Sequence, residues 1–181
     1  MRLVILDRDG VINEDSDAYV KSVGEWRPIP GSLEAIARLN HAGWRVVVAT
    51  NQSGVARGLF SMEHLNAIHQ RLHAELTRLG GQLEGIYFCP HGPDDGCDCR
   101  KPAPGLLREI AARHGVALPG LPCIGDSLRD LEAARAVGAL PILVRTGKGR
   151  LTEEKLPASW NVAVHDDLGE AARALIEGES R

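Results

Sequence analysis

The chain has 181 residues, 44% of them hydrophobic and 25% charged, with a formal net charge of −3. These values suit one globular domain with a core of its own and give no electrostatic reason to expect a nucleic-acid or membrane partner. No run approaches the roughly 20 apolar residues of a membrane span, and the opening run Leu3 to Leu6 is cut short by Asp7 and Asp9, unlike a signal peptide.

Short apolar runs alternate with segments of helical period, which predicts an α/β fold: a doubly wound, mostly parallel sheet. "RLVIL" is the first predicted strand, ending at Asp7. A helix follows from Pro30-Gly31-Ser32, with Ser32 as its cap, Leu33, Ile36, Ala37 and Leu39 on one face, and Gly43 at its end. "WRVVVAT" is a second strand that runs into the loop "NQSGVARGLF". Ser61 caps a longer helix, with Leu65, Ile68, Leu72, Leu76 and Leu79 turned inward and His64, His69 and His73 on the polar face. "GIYF" is a strand leading to a cysteine-rich loop, and a helix through Leu106, Leu107, Ile110 and Ala111 ends at Gly115. "LPCIG", with Cys123 as an ordinary buried residue, is the next strand. Leu128, Leu131, Ala134 and Val137 mark another helix; "LPILVR" and "NVAV" are strands, and Asp167 to Glu177 is the last helix. No linker divides the chain, so residues 1–181 read as one domain containing loop 89–99.

Asp7, Thr50 and Asp126 each fall at or just past the C-terminal end of a predicted strand. In an open α/β sheet the ligand crevice lies outside those ends, so the three converge. Asp7 and Asp9 lie two residues apart, and like charges so close call for a cation or a shared proton; a simple Asp-Gly turn is the alternative. Asp126 and Asp130 add carboxylates that suit Mg²⁺, although acids are also common at a helix N-terminus. "TNQSG" offers a hydroxyl and loop amides for phosphate oxygens, or is a plain loop; Lys101 adds a positive charge. "TGKG" at 146–149 lacks the full phosphate-loop pattern and is set aside.

Cys89-x-His91-x5-Cys97-x-Cys99 supplies three thiolates and an imidazole, a complete tetrahedral set for a structural Zn²⁺. Free thiols, or a redox pair at Cys97 and Cys99, are the alternatives.

Asp7-Arg8-Asp9-Gly10, Thr50, Lys101 and Gly125-Asp126 with Asp130 fall in the order of the four motifs of the haloacid dehalogenase superfamily, and the chain resembles its phosphatases over nearly its whole length. The resemblance implies a nucleophile at Asp7 and a general acid and base at Asp9, with the Asp9 pKa raised so that it starts protonated. It implies Mg²⁺ held by Asp7, the backbone carbonyl of Asp9 and Asp126, with Thr50 and Lys101 stabilising the phosphoryl group. The chain has no room for an inserted cap domain. The cysteine loop resembles the zinc-containing, capless branch, and "DRDGVIN", "TNQSGVARG", "CPH", "CDCRKP" and "LVRTGK" are similar to its members that remove the C7 phosphate of heptose 1,7-bisphosphate. That branch implies pocket contacts from Asp15 to Tyr19 and from Asn51, Gln52 and Ser53, and substrate recognition by Arg100. Arg57 either reaches phosphate or is simply solvated. Ser127 departs from the pattern, where relatives often carry Lys. The implied setting is the cytoplasm, acting as a monomer on a small sugar phosphate in the supply of heptose for lipopolysaccharide. The alternatives are a histidinol-phosphate phosphatase, a receiver-type signalling domain carrying a phosphoaspartate, and a zinc-stabilised module that only binds a sugar phosphate.

Overall fold

In β1 (Arg2–Leu6), Val4 and Leu6 join one hydrophobic cluster while Leu3 and Ile5 join another, because successive side chains leave a strand on opposite faces. The computed structural model describes residues 2–178. The following elements are α1 (Ser32–His41), β2 (Trp44–Asn51), α2 (Met62–Arg78), β3 (Gly85–Cys89), α3 (Gly105–His114) and β4 (Pro122–Gly125). The chain then continues through α4 (Leu128–Ala136), β5 (Leu140–Val144), α5 (Gly149–Glu154), β6 (Ala163–His165) and α6 (Leu168–Gly178). All strand pairings are parallel, and the sheet order is β3-β2-β1-β4-β5-β6.

Both faces of the sheet are covered, as parallel sheets require. Ile36 and Leu39 of α1, Ile68 and Leu72 of α2, and Ala171 of α6 pack with Val46 and Val48 on one face. Leu107 and Ile110 of α3 and Ala133 and Ala134 of α4 pack with Val47 and Ala49 on the other. Truncating any one of the buried leucines or isoleucines to alanine would cost about 2–5 kcal/mol. The order reverses direction between β1 and β4: the chain winds outward from β1 through β2 to β3, then crosses back to β4. That switch point opens a crevice at the carboxyl ends of these two strands. The Asp7 amide donates to Ile124 O at 2.9 Å and locks the crevice floor.

Residues 7–31 form a loop, and α2 is the only helix between β2 and β3, so the described residues contain no inserted cap domain. Among the described residues, no helix is long and apolar enough to cross a membrane.

Five local expectations are corrected. Ser32 is not the cap of α1: Gly31 holds that position at φ 83°, and the buried Ser32 hydroxyl donates to Ile12 O at 2.6 Å. Leu79 lies past the last turn of α2 and is 43% exposed. His69 is buried rather than on the polar face. The short helix α5 was not expected, and β6 begins two residues later than "NVAV". The cap of α2 is as expected: Ser61 Oγ accepts from His64 N at 3.3 Å, and His64 Nδ1 accepts from Ser61 N in return.

Candidate active site

Lys101 stands at the centre of the crevice. Its ammonium lies 3.1 Å from Asp7 Oδ1 and 2.5 Å from Asp130 Oδ1, and donates to Ala49 O at 2.7 Å. Burial works against this charge, but Asp130 and Asp7 outweigh it and hold the lysine pKa well above its ordinary range. The lysine is therefore a fixed cation facing Asp7. Asp130 also accepts from the amide and hydroxyl of Ser127 through Oδ2, at 3.1 and 2.8 Å. One carboxylate thus closes the N-terminus of α4, one of the two readings of Asp130 in the sequence, and also orients Lys101.

Asn51 lines the cleft and is also tied to the segment that carries Lys101. Its side-chain amide bonds the peptide of Lys101 in both directions, at 3.0 Å each. Gln52 is buried, and its Nε2 donates to Asp9 Oδ2 at 2.9 Å and to Thr50 Oγ1 at 3.0 Å. The end of β2 and the loop after it therefore align Asp9, Thr50 and Lys101 as well as lining the cleft.

Asp9 accepts four hydrogen bonds. Oδ1 takes Arg8 Nε (3.1 Å), Arg8 Nη2 (2.8 Å) and Asn13 Nδ2 (2.9 Å), and Oδ2 takes Gln52. Burial pushes its pKa up, yet the Arg8 charge and these bonds together hold it below the usual carboxylate range. This runs against the expected raised pKa, because the buried Arg8 guanidinium lies directly against the carboxylate. The free site holds Asp9 ionised, the form that accepts a proton. A bound phosphate dianion brings the negative charge that favours protonation.

Asp7 and Asp126 behave oppositely. Burial, Asp130 and Asp9 push the Asp7 pKa up to about 7 against the pull of Lys101. Burial and the charges of Asp130 and Asp7 push Asp126 to about 8. Carboxylate oxygens of Asp7, Asp126 and Asp130 lie within 4.8 Å of one another. Oδ1 of Asp130 is taken by Lys101 and Oδ2 by Ser127, which leaves Asp7 and Asp126 as the pair that needs a cation. An all-oxygen, carboxylate-rich set of this kind suits Mg²⁺.

The loop from Thr146 to Lys148, set aside in the sequence, closes this side of the site. Lys148 N donates to Asp126 Oδ2 at 2.8 Å, and Thr146 Oγ1 donates to Gly10 O at 2.7 Å. A Cβ on Gly10 or on Gly147 would collide with the Asp126 carboxylate, and both glycines have positive φ. The available signal was position: the loop directly follows a strand next to β4, as the other site loops follow theirs.

Toward solvent the crevice widens into a cleft of about 350 Å³ lined by Asp15, Tyr19, Ser53, Arg57 and Arg100 as well as Asp7, Asp9, Thr50, Lys101 and Asp126. Tyr19 adopts φ 67°, a costly conformation for a residue with a side chain. The Arg57 guanidinium lies 5.9 Å from the centroid of the Tyr19 ring, a cation–π contact. The Lys148 ammonium pairs with Asp15 at 3.3 Å.

The cysteine loop brings its four expected ligands together. Cys89 Sγ lies 3.4 Å from His91 Nδ1, 3.6 Å from Cys97 Sγ and 3.1 Å from Cys99 Sγ, and His91 Nδ1 lies 3.3 Å from Cys99 Sγ. All four cysteines of the chain are free thiols. Zn–S bonds of about 2.3 Å in a tetrahedron place sulfurs roughly 3.8 Å apart, so the donor set fits zinc with small adjustments and leaves no ligand position open. Burial raises the Cys97 pKa, but the Arg100 amide and the neighbouring thiols bring it down to about 7, close to the ligating thiolate form. The loop is tied to the segment after β2, with Gln52 N donating to Cys89 O at 2.7 Å and Ala56 N to Pro90 O at 3.2 Å. Arg100 Nη1 donates to His91 O at 3.4 Å.

A doubly wound sheet with an Asp-x-Asp loop after β1, a threonine at the end of β2, a buried lysine and a second acidic loop after β4 defines a haloacid dehalogenase-type phosphatase. In agreement, the family profile described as polynucleotide kinase 3 phosphatase matches residues 3–117, and a HAD-hydrolase-like profile matches residues 98–171. The D-glycero-beta-D-manno-heptose-1,7-bisphosphate 7-phosphatase of Bordetella bronchiseptica is 56% identical over 98% of this chain and 99% of its own length. The protein of that name from Pseudomonas putida is 58% identical over 97% and 100%. The crystal structure of the B. bronchiseptica phosphatase complexed with magnesium and phosphate superposes with a TM-score of 0.96, covering 98% of this chain and 99% of that one. The Burkholderia thailandensis phosphatase is 45% identical with a TM-score of 0.77, over 97% and 99%. The chain belongs to the family of D-glycero-β-D-manno-heptose-1,7-bisphosphate 7-phosphatases.

Proposed function

We propose that the chain hydrolyses the C7 phosphate of D-glycero-β-D-manno-heptose 1,7-bisphosphate and releases the 1-phosphate. The observation that carries this is end-to-end identity of 56–58% with relatives of that name. The convergence of Asp7, Asp9, Thr50, Lys101 and Asp126 in one crevice supports it. The β anomer comes from the relatives' names.

Asp9 takes up a proton as the phosphate binds; the Asp7 carboxylate then attacks phosphorus, the bond from phosphorus to the C7 oxygen breaks, and Asp9 gives that oxygen its proton. Asp9 then takes a proton from the water that hydrolyses the aspartyl-phosphate, restoring Asp7 and releasing phosphate. Mg²⁺, held by Asp7, the Asp9 carbonyl and Asp126, supplies positive charge against the phosphoryl oxygens. Thr50 and Lys101 stabilise those oxygens as charge builds on them. Asp15, Tyr19, Ser53 and Arg100 face the remainder of the sugar, with Arg100 suited to the second phosphate. Cys89, His91, Cys97 and Cys99 would hold a zinc ion that fixes the loop leading to Arg100 and Lys101. This reading makes the protein a single-domain cytoplasmic enzyme of heptose supply for lipopolysaccharide.

The test is phosphate release with Mg²⁺ present, comparing the heptose bisphosphate with histidinol phosphate. The bisphosphate should have at least about tenfold higher kcat/KM, equivalent to roughly 1.4 kcal/mol of differential transition-state binding. Equal or reversed preference would move the assignment to histidinol phosphate.

A further inference from the structure

Arg8 is fully buried, and all three of its guanidinium nitrogens are engaged. Nε and Nη2 both point at Asp9 Oδ1, whereas Nη1 lies 3.1 Å from Nε2 of His69, on α2 and 61 residues away. We propose that His69 is a positioning residue for the phosphatase reaction: it accepts the remaining guanidinium donor of Arg8 and so holds Asp9 in place for proton transfer. The inference rests on the reading of Asp9 as general acid and base.

Chemistry fixes the roles within this chain of contacts. A guanidinium does not give up its proton and only donates, so His69 Nε2 must be the acceptor and the ring neutral, with its proton on Nδ1. Burial, followed by the Arg8 charge, pushes the His69 pKa down to about 3, consistent with a permanent acceptor. Phe88 lies against the ring with centroids 6.1 Å apart and limits its movement. Removing the acceptor leaves a buried, charged N–H group without a partner, and the guanidinium must turn to find one. Two of the four bonds that fix Asp9 come from that guanidinium, so its rotation carries Asp9 away from the leaving oxygen. A displacement of about 1 Å in a reacting group costs on the order of a hundredfold in rate. His69 itself touches none of the reacting atoms.

The experiment measures kcat/KM for an alkyl phosphate (the heptose bisphosphate) and an aryl phosphate (p-nitrophenyl phosphate), whose leaving group needs little protonation. The variants are His69→Leu, His69→Gln, Arg8→Lys and Asp9→Asn. His69→Leu should lose at least about tenfold on the alkyl substrate and less than about threefold on the aryl one. His69→Gln, whose amide oxygen can accept from Arg8, should recover most of the loss. Arg8→Lys, which keeps the charge but not the fork, should show the same selective loss and decides the matter if His69→Leu does not fold. Equal losses on the two substrates, no loss, or failure of His69→Gln to recover would overturn the inference. If Asp9→Asn is selective while His69→Leu and Arg8→Lys are not, only this inference falls. If Asp9→Asn shows no selectivity, the acid reading falls and takes the inference with it.

Discussion

Asn51 and Lys101 are fifty residues apart, and the side-chain amide of the first clasps the peptide of the second. Asn51 Nδ2 donates to Lys101 O, and Lys101 N donates to Asn51 Oδ1, each at 3.0 Å. The clasp joins the end of β2 to the loop after the cysteine cluster, so the lysine meets Asp7 at a defined height above the sheet. Asn51→Ala should lower kcat by about tenfold or more, with a smaller change in KM, because Lys101 acts on charge that develops in the transition state. Steady-state kinetics with the heptose bisphosphate check this; an unchanged kcat would mean that the salt bridges alone position the lysine.

Asp7→Asn should abolish turnover and leave the fold intact, since an amide is a poor nucleophile toward phosphorus. Circular dichroism and a phosphate-release assay over several monoesters are sufficient. Substantial turnover on any of them would sink the covalent mechanism.

Purified protein should contain about one zinc per chain, distinct from exchangeable Mg²⁺, because three thiols and an imidazole favour the softer ion. Cys97→Ser or Cys99→Ser should weaken zinc retention, lower the melting temperature and impair substrate positioning by Arg100 and Lys101. Elemental analysis together with thermal melting tests this. Zinc-free protein, with both variants fully active and equally stable, would leave only a cluster of thiols.

The buried His69 should make the fold sensitive to acid. Its folded pKa of about 3 lies below the ordinary 6.5, so below pH 6.5 the unfolded chain takes up a proton that the folded chain does not. The group contributes no pH dependence above 6.5, and stability is lost progressively as pH falls from there toward 3. His69→Gln removes the titration and keeps an acceptor. Between pH 7 and about 4.5 it should lose less stability than the wild type, by on the order of 2 kcal/mol. Denaturant unfolding at the two pH values measures the difference, and parallel losses would show that His69 takes up its proton in the fold as readily as outside it.

The amino-acid sequence by itself determined the alternation of strands and helices, the placement of Asp7, Thr50 and Asp126 at strand ends, and the Cys89, His91, Cys97 and Cys99 ligand set. These follow from local causes: apolar period, turn residues and ligand spacing within one loop. Tertiary structure decided the rest, because it depends on which distant groups meet. Read by residue type, His69 belonged to the polar face of α2. Yet it stands four residues after Leu65 and three before Leu72, on the buried stripe, where only a donor from another element could satisfy it. Asp9 was expected to hold a raised pKa beside a like charge, and packing instead surrounded it with four donors, two of them from a buried arginine. The loop from Thr146 to Lys148 carried no complete motif, and it reached the site because parallel β5 pairs with β4 and delivers its following loop against Asp126. Charge and hydrogen bonding in a buried crevice are sums over every neighbour, and those neighbours are chosen by the winding of the sheet.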